Sequence, residues 1–278
     1  MKCARLLVTA HDSRWLDEAV RTATGLATSI IACDVEAGLE MKTDSTPDGR
    51  PGAYLLFFAR TVEGLGKSLL TRIGQGLMTC PTTAVFNAMD GGQPLDVGRK
   101  LAYFGDGFEE IKTINGRRMW SVPVTEGEFF VEDIFNVSDG VAGGAFIVMA
   151  ESLDSALTAV TRAREAINPV PGVILPFPGG AARCASKVGA MEYPFLKAST
   201  NAPFCPTLRG RVESKVPDGV TCALEVVIDG VDEESVKTAM RAGIHAVCGV
   251  NGVKMITAAS FGGKLGGIRI LLRETAQG

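Results

Sequence analysis

The sequence predicts an α+β protein built as two similar lobes, each with the element order βαββαβ and a mainly antiparallel sheet. Apolar segments typical of strands alternate with amphipathic segments typical of helices through most of the chain. The plan strand–helix–strand occurs four times within the 278 residues. A chain of this length is also sufficient for two modest domains, each with its own buried core.

The predicted N-terminal lobe, residues 1–130, contains two strand–helix–strand units and a β-hairpin insertion. Its strands are short apolar runs, and its helices repeat apolar residues at helical spacing. In chain order, the strand, helix and strand segments are 5–10, 15–27 and 29–35, then 54–59, 62–78 and 82–86. Residues 101–137 alternate between apolar and polar positions and carry Asn-Gly and other glycine turn signals, which predict hairpins.

The predicted C-terminal lobe, residues 131–278, repeats this plan. Its strand, helix and strand segments are 145–150, 153–167 and 172–177, then 223–228, 232–247 and 252–258. Asp154 and Asp232 stand at the helix starts, where the helix dipole favours a carboxylate. Two consecutive βαβ units make the arrangement of a ferredoxin-like lobe, so the sequence predicts two such α/β-sandwich lobes.

Charge and hydropathy exclude several classes of partner. The chain has 28 Lys and Arg against 31 Asp and Glu, a net charge of −3, so no excess of cations points to nucleic acid or an anionic membrane. The apolar run 141–150 is shorter than the roughly 18 residues that a membrane span needs. The first residues do not have the pattern of a signal peptide. We therefore expect a soluble, cytoplasmic protein.

Cysteine and histidine usage argues against metal sites and disulfides. The seven cysteines are odd in number and form no C-x-x-C pair, which favours a reducing compartment over a disulfide framework. The two histidines, His11 and His245, lack the spacing of metal ligands. The sequence therefore predicts no metal site.

Glu225 is the candidate catalytic residue. It lies in the middle of the predicted strand 223–228, and the two-residue period of a strand places its side chain on the same face as Ala223 and Val227. One interpretation is a solvated position at a sheet edge. The other is a carboxyl held in apolar surroundings, where desolvation raises the pKa and keeps the group protonated near neutral pH, ready to donate to an oxyanion.

Two glycine-rich loops that follow predicted strands are candidate ligand-binding segments. The first contains Phe177, Gly179 and Gly180, and the second contains Gly262 and Gly263. Glycine lets a backbone approach a flat ligand closely. An ordinary turn also explains each loop, and neither loop has the G-x-G-x-x-G pattern of a dinucleotide site.

A set of short motifs in one order along the chain resembles a known family, the formylmethanofuran:tetrahydromethanopterin formyltransferases. Each motif is weak alone; TPDGRPG, for example, indicates only a rigid turn. The ordered set is specific and runs nearly the whole length. It comprises TPDGRPG (46–52), GQ-x-x-x-TCPTTAVF (74–86), FGDGFE (104–109), GEFFVED (127–133), GVAGG (140–144), PFPGG (176–180), SKVG (186–189), FLKASTN (195–201) and GGKLG (262–266).

The resemblance implies two ferredoxin-like lobes per subunit and a homo-oligomer, a dimer or a tetramer built from dimers. It implies transfer of a formyl group between the amine of methanofuran and N5 of tetrahydromethanopterin in one-carbon metabolism. These two carriers are the co-substrates, and no metal or prosthetic group is needed. The family's functional glutamate maps onto Glu225, whereas Leu224 replaces a residue that is often Tyr in the family.

The resemblance also suggests substrate-binding residues in the segment 186–201. The motifs SKVG and FLKASTN supply Ser186, Lys187, Lys197, Ser199, Thr200 and Asn201 as candidates, in addition to the glycine loops. Both carriers have anionic tails, so the two lysines are plausible contacts for them. Solvated surface positions explain the lysines as well.

Two further expectations concern partners and alternatives. The small net charge resembles that of the bacterial methylotroph members, which act in a complex with hydrolase subunits. Family members usually begin with a further N-terminal segment, whereas this sequence starts almost on its first strand. The rival class is a non-catalytic scaffold or pterin-binding subunit of that complex. A regulatory module that senses amino acids follows from the fold class alone.

Overall fold

The computed structural model describes residues 1–259 and 268–277. The chain forms two compact units, Met1–Gly140 and Val141–Gly278. The lobe boundary expected at residue 130 falls within a strand of the first unit, Gly127–Glu132. The next strand, Phe135–Asp139, pairs with the first strand of the chain, so its residues belong to the first unit as well.

The first unit contains a four-stranded antiparallel sheet in the order β2–β3–β1–β4. Its elements are β1 (Lys2–Thr9), α1 (Ser13–Thr24), β2 (Glu36–Thr43), β3 (Gly52–Ala59), α2 (Val62–Thr71) and β4 (Ala84–Asn87). A π-helical segment, Arg72–Leu77, continues α2. Apolar side chains from the sheet and helices, such as Leu6, Leu16, Phe57 and Leu69, form one buried core.

One predicted strand of this unit, 29–35, is wrong. Residues 29–33 turn instead, with the Cys33 N–H donating to the Ser29 carbonyl at 2.8 Å. The strand that pairs with β3 on the side away from β1 is β2, whose sequence looks too polar for a sheet interior. It is accommodated because the buried Glu40 carboxylate accepts from Arg5 Nε at 2.6 Å and Nη2 at 2.9 Å. Tertiary pairing here overrides the local apolar signal.

The segment after β4, which includes the insertion predicted at 101–137, extends the sheet of the first unit. Its elements are β5 (Gln93–Leu95), α3 (Val97–Ala102), β6 (Glu110–Ile114), β7 (Arg117–Val124), β8 (Gly127–Glu132) and β9 (Phe135–Asp139). Strands β6, β7 and β8 form an antiparallel meander that joins the sheet where β8 pairs in parallel with β4. The segment 101–105, predicted to start a hairpin, is helical instead.

The glycine at the start of α3 makes a close backbone approach that is testable. A Cβ at Gly98 would lie 1.9 Å from the Glu132 carbonyl oxygen. We expect Gly98→Ala to lower the free energy of unfolding by about 2–3 kcal/mol in urea denaturation. Gly66→Ala in α2 is the matched control, because its Cβ would meet only Leu95 at 3.6 Å and alanine favours helices. Equal stability of the two variants would contradict this account of Gly98.

The second unit has a sheet in the same order as the first, β11–β14–β10–β15, again antiparallel. Its main elements are β10 (Val141–Ala150), α4 (Leu153–Ile167), β11 (Val173–Ile174), β12 (Ser186–Val188), β13 (Ala198–Thr200), β14 (Cys222–Gly230), α5 (Glu233–Cys248), β15 (Val253–Thr257) and α6 (Leu272–Gln277). Strands β12 and β13 form a separate hairpin. The observed class is therefore α+β with mainly antiparallel sheets, as predicted.

The two faces of this second sheet are covered differently. One face carries residues such as Phe146, Val226 and Ile228, which share a core with residues of α4 and α5. On the other face, Ile147 and Met149 form a smaller apolar cluster; the other buried members are Phe204, Val216 and Val220. The segment after β13 therefore contributes to the second face, which is the face of the candidate catalytic glutamate.

Candidate functional site

Glu225 lies inside the second sheet. On one side it stands opposite Ile147 of β10. On the other side its carbonyl accepts from the Ala182 N–H at 2.7 Å, and its N–H donates to the Ala182 carbonyl at 3.0 Å. Because backbone partners flank it on both sides, the interpretation of a solvated edge position does not apply.

The Glu225 side chain is partly buried among apolar neighbours. It points to the same face as Ala223, which packs on the apolar cluster of Ile147 and Met149. No residue within 1–259 or 268–277 hydrogen-bonds to its carboxyl group. Desolvation therefore acts without compensation and raises the pKa of Glu225 from 4.5 to about 7. Such a carboxyl keeps its proton through much of the neutral range and is able to donate a hydrogen bond.

The β12–β13 hairpin brings four of the predicted binding residues together. Ser186 stands opposite Thr200, and Lys187 stands opposite Ser199. Asn201 extends this pairing, because its N–H donates to the Ala185 carbonyl at 3.1 Å. Only two residues separate Ala185 from Ala182, the backbone partner of Glu225, so the hairpin begins next to the strand of the candidate catalytic residue.

The two predicted lysines differ in their surroundings. Lys187 is half-buried on β12, whereas Lys197 is exposed just before β13. Neither forms a salt bridge with a residue in the part of the chain that the structure describes. No described carboxylate therefore neutralises either ammonium group. A lysine that binds an anionic tail needs its charge available in this way.

Asn201 has the most unusual polar group of the hairpin. The residue is buried, with 5% of its surface exposed, and its Nδ2 finds no hydrogen-bond partner among the described residues. A buried polar group without a partner costs about 1–3 kcal/mol and requires an explanation. The sequence indicated this residue only through a motif; its burial was not predictable from residue type.

The two glycines of the first loop have different surroundings: Gly180 is closely packed, whereas Gly179 has open space around it. Gly180 has φ +83°, and a Cβ there would meet Leu175 at 3.0 Å and Arg164 at 3.3 Å, so this glycine allows the loop to pack on α4. Gly179 has φ +66° with open space around it, and the preceding Phe177 is half-buried. The second predicted pair, Gly262 and Gly263, lies outside the described residues.

The first unit contains a cavity that sequence reasoning did not predict. It has a volume of about 320 Å³ and includes Asp48 and Arg50 of the TPDGRPG segment in its lining. Its lining residues come from several separate turns and strands, so no single motif indicated it. In the described ranges, no group of three His, Cys, Asp or Glu side chains has the arrangement of a metal site. The described residues also contain no helix long and apolar enough to cross a membrane.

Comparison with protein families places both units in one class of acyl-transferring enzymes. A family model described as formylmethanofuran-tetrahydromethanopterin formyltransferase matches residues 1–124. The model of the proximal lobe of the same enzyme matches residues 127–275. The chain belongs to the formylmethanofuran–tetrahydromethanopterin formyltransferase family, which confirms the resemblance seen in the motifs.

Curated relatives and solved structures agree with this assignment. The chain is 47% identical to the formyltransferase of Methanopyrus kandleri, over 98% of this chain and 93% of that protein. It is 46% identical to that of Methylobacillus flagellatus, over 99% and 93%. The Methanosarcina barkeri formyltransferase structure superimposes with a TM-score of 0.94 at 45% identity, covering 99% of this chain and 94% of that one.

A second solved structure similar to this chain belongs to an assembly. The formyltransferase/hydrolase complex of Methylorubrum extorquens, solved with methylofuran, matches with a TM-score of 0.94 at 38% identity. The match covers 99% of this chain and 92% of that one. The relatives therefore include proteins from methanogens and from methylotrophic bacteria.

Proposed function

We propose that this chain transfers a formyl group between methanofuran and N5 of tetrahydromethanopterin by direct attack of the acceptor amine. The observation that carries this proposal is Glu225, a partly buried carboxyl with a pKa of about 7 in a chain of this family. The identity of the two carriers as co-substrates is taken from the names of the relatives described above.

The reaction proceeds without a covalent enzyme intermediate. The lone pair of the acceptor nitrogen attacks the formyl carbon, a C–N bond forms, and the carbonyl oxygen becomes an oxyanion. The old C–N bond then breaks, and the proton lost by the attacking nitrogen is balanced by the proton gained by the leaving nitrogen. Protonated Glu225 donates a hydrogen bond to the oxyanion, which stabilises the transition state by about 3–4 kcal/mol.

Holding the two carriers side by side supplies much of the remaining rate enhancement, up to about 7–11 kcal/mol for well-aligned reactants. We assign this positioning to the hairpin residues Ser186, Lys187, Ser199, Thr200 and Asn201, to the exposed Lys197, and to the loop residues Phe177, Gly179 and Gly180. The two lysines provide positive charge for the anionic tails. We also assign substrate binding to the loop that contains Gly262 and Gly263, as expected from the sequence.

Asn201 offers a separate test of substrate binding. Because its Nδ2 has no partner in the described part of the chain, we expect Asn201→Leu to leave the free energy of unfolding unchanged or to raise it by about 1 kcal/mol. If a substrate oxygen accepts from Nδ2, the same change should raise KM for one carrier by about tenfold.

Steady-state kinetics and urea denaturation together measure both effects. The control is Asn168→Leu, at an exposed position after α4. Loss of stability with unchanged KM would give Asn201 a purely structural role.

We further propose that each unit is a ferredoxin-like lobe, a βαββαβ sandwich. The shared strand orders β2–β3–β1–β4 and β11–β14–β10–β15 support this, with one helix after the first strand and one after the third in each unit. By family membership we also propose a cytoplasmic homo-oligomer, a dimer or tetramer, that joins hydrolase subunits. The hydrolase complex of Methylorubrum extorquens supports the last point.

An assay of the purified chain tests the proposed activity. Formylmethanofuran and tetrahydromethanopterin are mixed with the isolated protein, and formation of the formylated pterin is followed by its absorbance. We expect catalytic turnover without added metal. Binding of the carriers with no transfer would instead favour the rival class, a non-catalytic scaffold or pterin-binding subunit.

A further inference from the structure

Two of the seven free cysteines stand on either side of the β12–β13 hairpin. Cys184 precedes β12 by two residues and is exposed, whereas Cys205 follows β13 and is half-buried. The two residues are far apart in the sequence and form no C-x-x-C motif, so only the fold can bring their thiols together.

Backbone hydrogen bonds at the base of the hairpin bring the two cysteines close to each other. The Asn201 N–H donates to the carbonyl of Ala185, the neighbour of Cys184, at 3.1 Å. Directly after Asn201 the chain folds back in a 3₁₀ turn, in which the Cys205 N–H donates to the Ala202 carbonyl at 3.1 Å. One turn of 3₁₀ helix advances by only about 6 Å, so Cys205 stays close to the residue pair that closes the hairpin.

The backbone around each cysteine is fixed to the second sheet. Cys184 comes two residues after Ala182, whose backbone exchanges two hydrogen bonds with Glu225 of β14. Cys205 comes directly after Phe204, a buried member of the apolar cluster on the second face of that sheet. The short approach between the two cysteines is therefore built into the fold.

The two thiols also interact electrostatically. Burial raises the pKa of Cys205, and the negative charge of the Cys184 thiolate raises it further. Among the described residues, Cys80 and Cys222 also have a pKa raised by burial, but no second thiol contributes to either shift. Interactions between charges near the surface are screened beyond about 8 Å, so this effect indicates that Cys184 and Cys205 are neighbours.

The exposure of the two thiols gives them different roles in an oxidation. Oxidation of cysteine proceeds through the thiolate and favours accessible positions, so the exposed Cys184 reacts first. Once Cys184 has become a neutral sulfenic acid, the charge that raises the pKa of Cys205 is removed, and Cys205 ionises more readily beside it. In a reducing compartment, a disulfide of this kind is transient and senses redox change.

We propose that Cys184 and Cys205 form a redox-active dithiol that hydrogen peroxide converts into an intramolecular disulfide. The Cys184 thiolate attacks one peroxide oxygen, the O–O bond breaks, and the second oxygen takes up a proton and leaves as water. The Cys205 sulfur then attacks the sulfur of the sulfenic acid, the S–S bond forms, and the S–O bond breaks with release of a second water. The two thiols together lose two electrons, and hydrogen peroxide is reduced to two waters.

The disulfide would close the base of the hairpin that carries residues assigned to carrier binding. Ser186 lies two residues from Cys184, and Asn201 lies four residues from Cys205. A disulfide holds its Cα atoms about 4.4–6.8 Å apart, so forming it moves the neighbouring residues. We expect oxidation to raise KM for at least one carrier by about fivefold or more, the lower end of a typical coupling between two sites. This effect on the carriers rests on the proposed function, whereas the dithiol itself does not.

Peptide mapping of the full-length chain tests the dithiol without any formyl transfer. The reduced protein is treated with hydrogen peroxide, the remaining thiols are blocked with N-ethylmaleimide, and the monomer band of a non-reducing gel is digested with trypsin. The two cysteines fall in separate peptides, 184–187 and 198–209, because trypsin cuts after Arg183, Lys187, Lys197 and Arg209. We expect these two peptides to be linked, with the loss of two of the seven thiols, and dithiothreitol to restore both thiols.

Two variants give the matched comparison. Cys205→Ser should abolish the linked pair and leave a sulfenic acid at Cys184, which dimedone detects. Cys248→Ser, at the exposed cysteine that ends α5, should form the linked pair as wild type does. A wild type that forms no linked pair, or in which Cys184 links mainly to another cysteine, would overturn the proposal.

Steady-state kinetics of the same samples test the effect on the carriers. KM of the wild type should rise on oxidation and return to its first value with dithiothreitol. An unchanged KM of the oxidised wild type would contradict this effect. If the reduced wild type transfers no formyl group, the proposed function fails, and the peptide map still decides whether the dithiol exists.

Discussion

Replacing Glu225 by glutamine should lower the turnover number for formyl transfer by about 100-fold or more, with the fold intact. Glutamine has nearly the same size, and its amide is a neutral donor, but it is a weaker hydrogen-bond acid than a carboxyl group. The loss should fall on kcat rather than on KM, because the proposed contact with the oxyanion exists only in the transition state. Stopped-assay rates with both carriers at saturation measure this change.

The design includes two controls for the glutamine variant. Glu165→Gln replaces an exposed glutamate on α4 and should retain wild-type turnover. Thermal denaturation should show that Glu225→Gln is at least as stable as wild type, since no described residue hydrogen-bonds to the carboxyl group that is lost. Near-normal turnover of this variant would remove Glu225 from the mechanism.

The rate of formyl transfer should fall about fivefold between pH 7 and 8, and about tenfold for each further pH unit. The active form of Glu225 is the protonated one, and burial raises its pKa to about 7. The active fraction is therefore about nine-tenths at pH 6 and about one-tenth at pH 8. With an ordinary glutamate pKa, the residue would already be ionised across this whole range.

The pH profile of Glu225→Gln supplies the control for this prediction. Its residual activity should be nearly flat between pH 6 and 8, because glutamine does not titrate. If the variant keeps the same decline as wild type, the decline belongs to another group or to a carrier. The titration of Glu225 would then have no part in the rate.

Helices α1, α2, α4 and α5 and most of the central strands of both units follow from periodicity alone. Helices α1, α4 and α5 lie within or almost within their predicted ranges. Strand β2 does not, because its buried Glu40 is paired with Arg5 of β1, a contact that no local pattern reveals. The segment 29–35 has a stronger apolar signal, yet it forms a turn.

For the candidate site, too, some features could be predicted from the sequence and others depend on tertiary contacts. The side of the strand on which Glu225 lies follows from the two-residue period, and the segment 186–201 follows from the resemblance. The bridge from Ala182 that makes Glu225 an interior residue, and the unpaired Nδ2 of Asn201, arise from tertiary contacts. The cavity beside Arg50 is likewise lined by residues from distant segments. The turn signal at 46–52 therefore did not predict it.

The most direct test of the central claim is infrared spectroscopy of the Glu225 carboxyl group. Difference spectra between the wild type and Glu225→Gln, recorded from about pH 3 to 9 with carbon-13-labelled glutamate, isolate the C=O stretch of this one protonated acid. A band that disappears with a midpoint near pH 7 is the predicted result. A midpoint near 4.5, the value of an ordinary glutamate, would contradict the account.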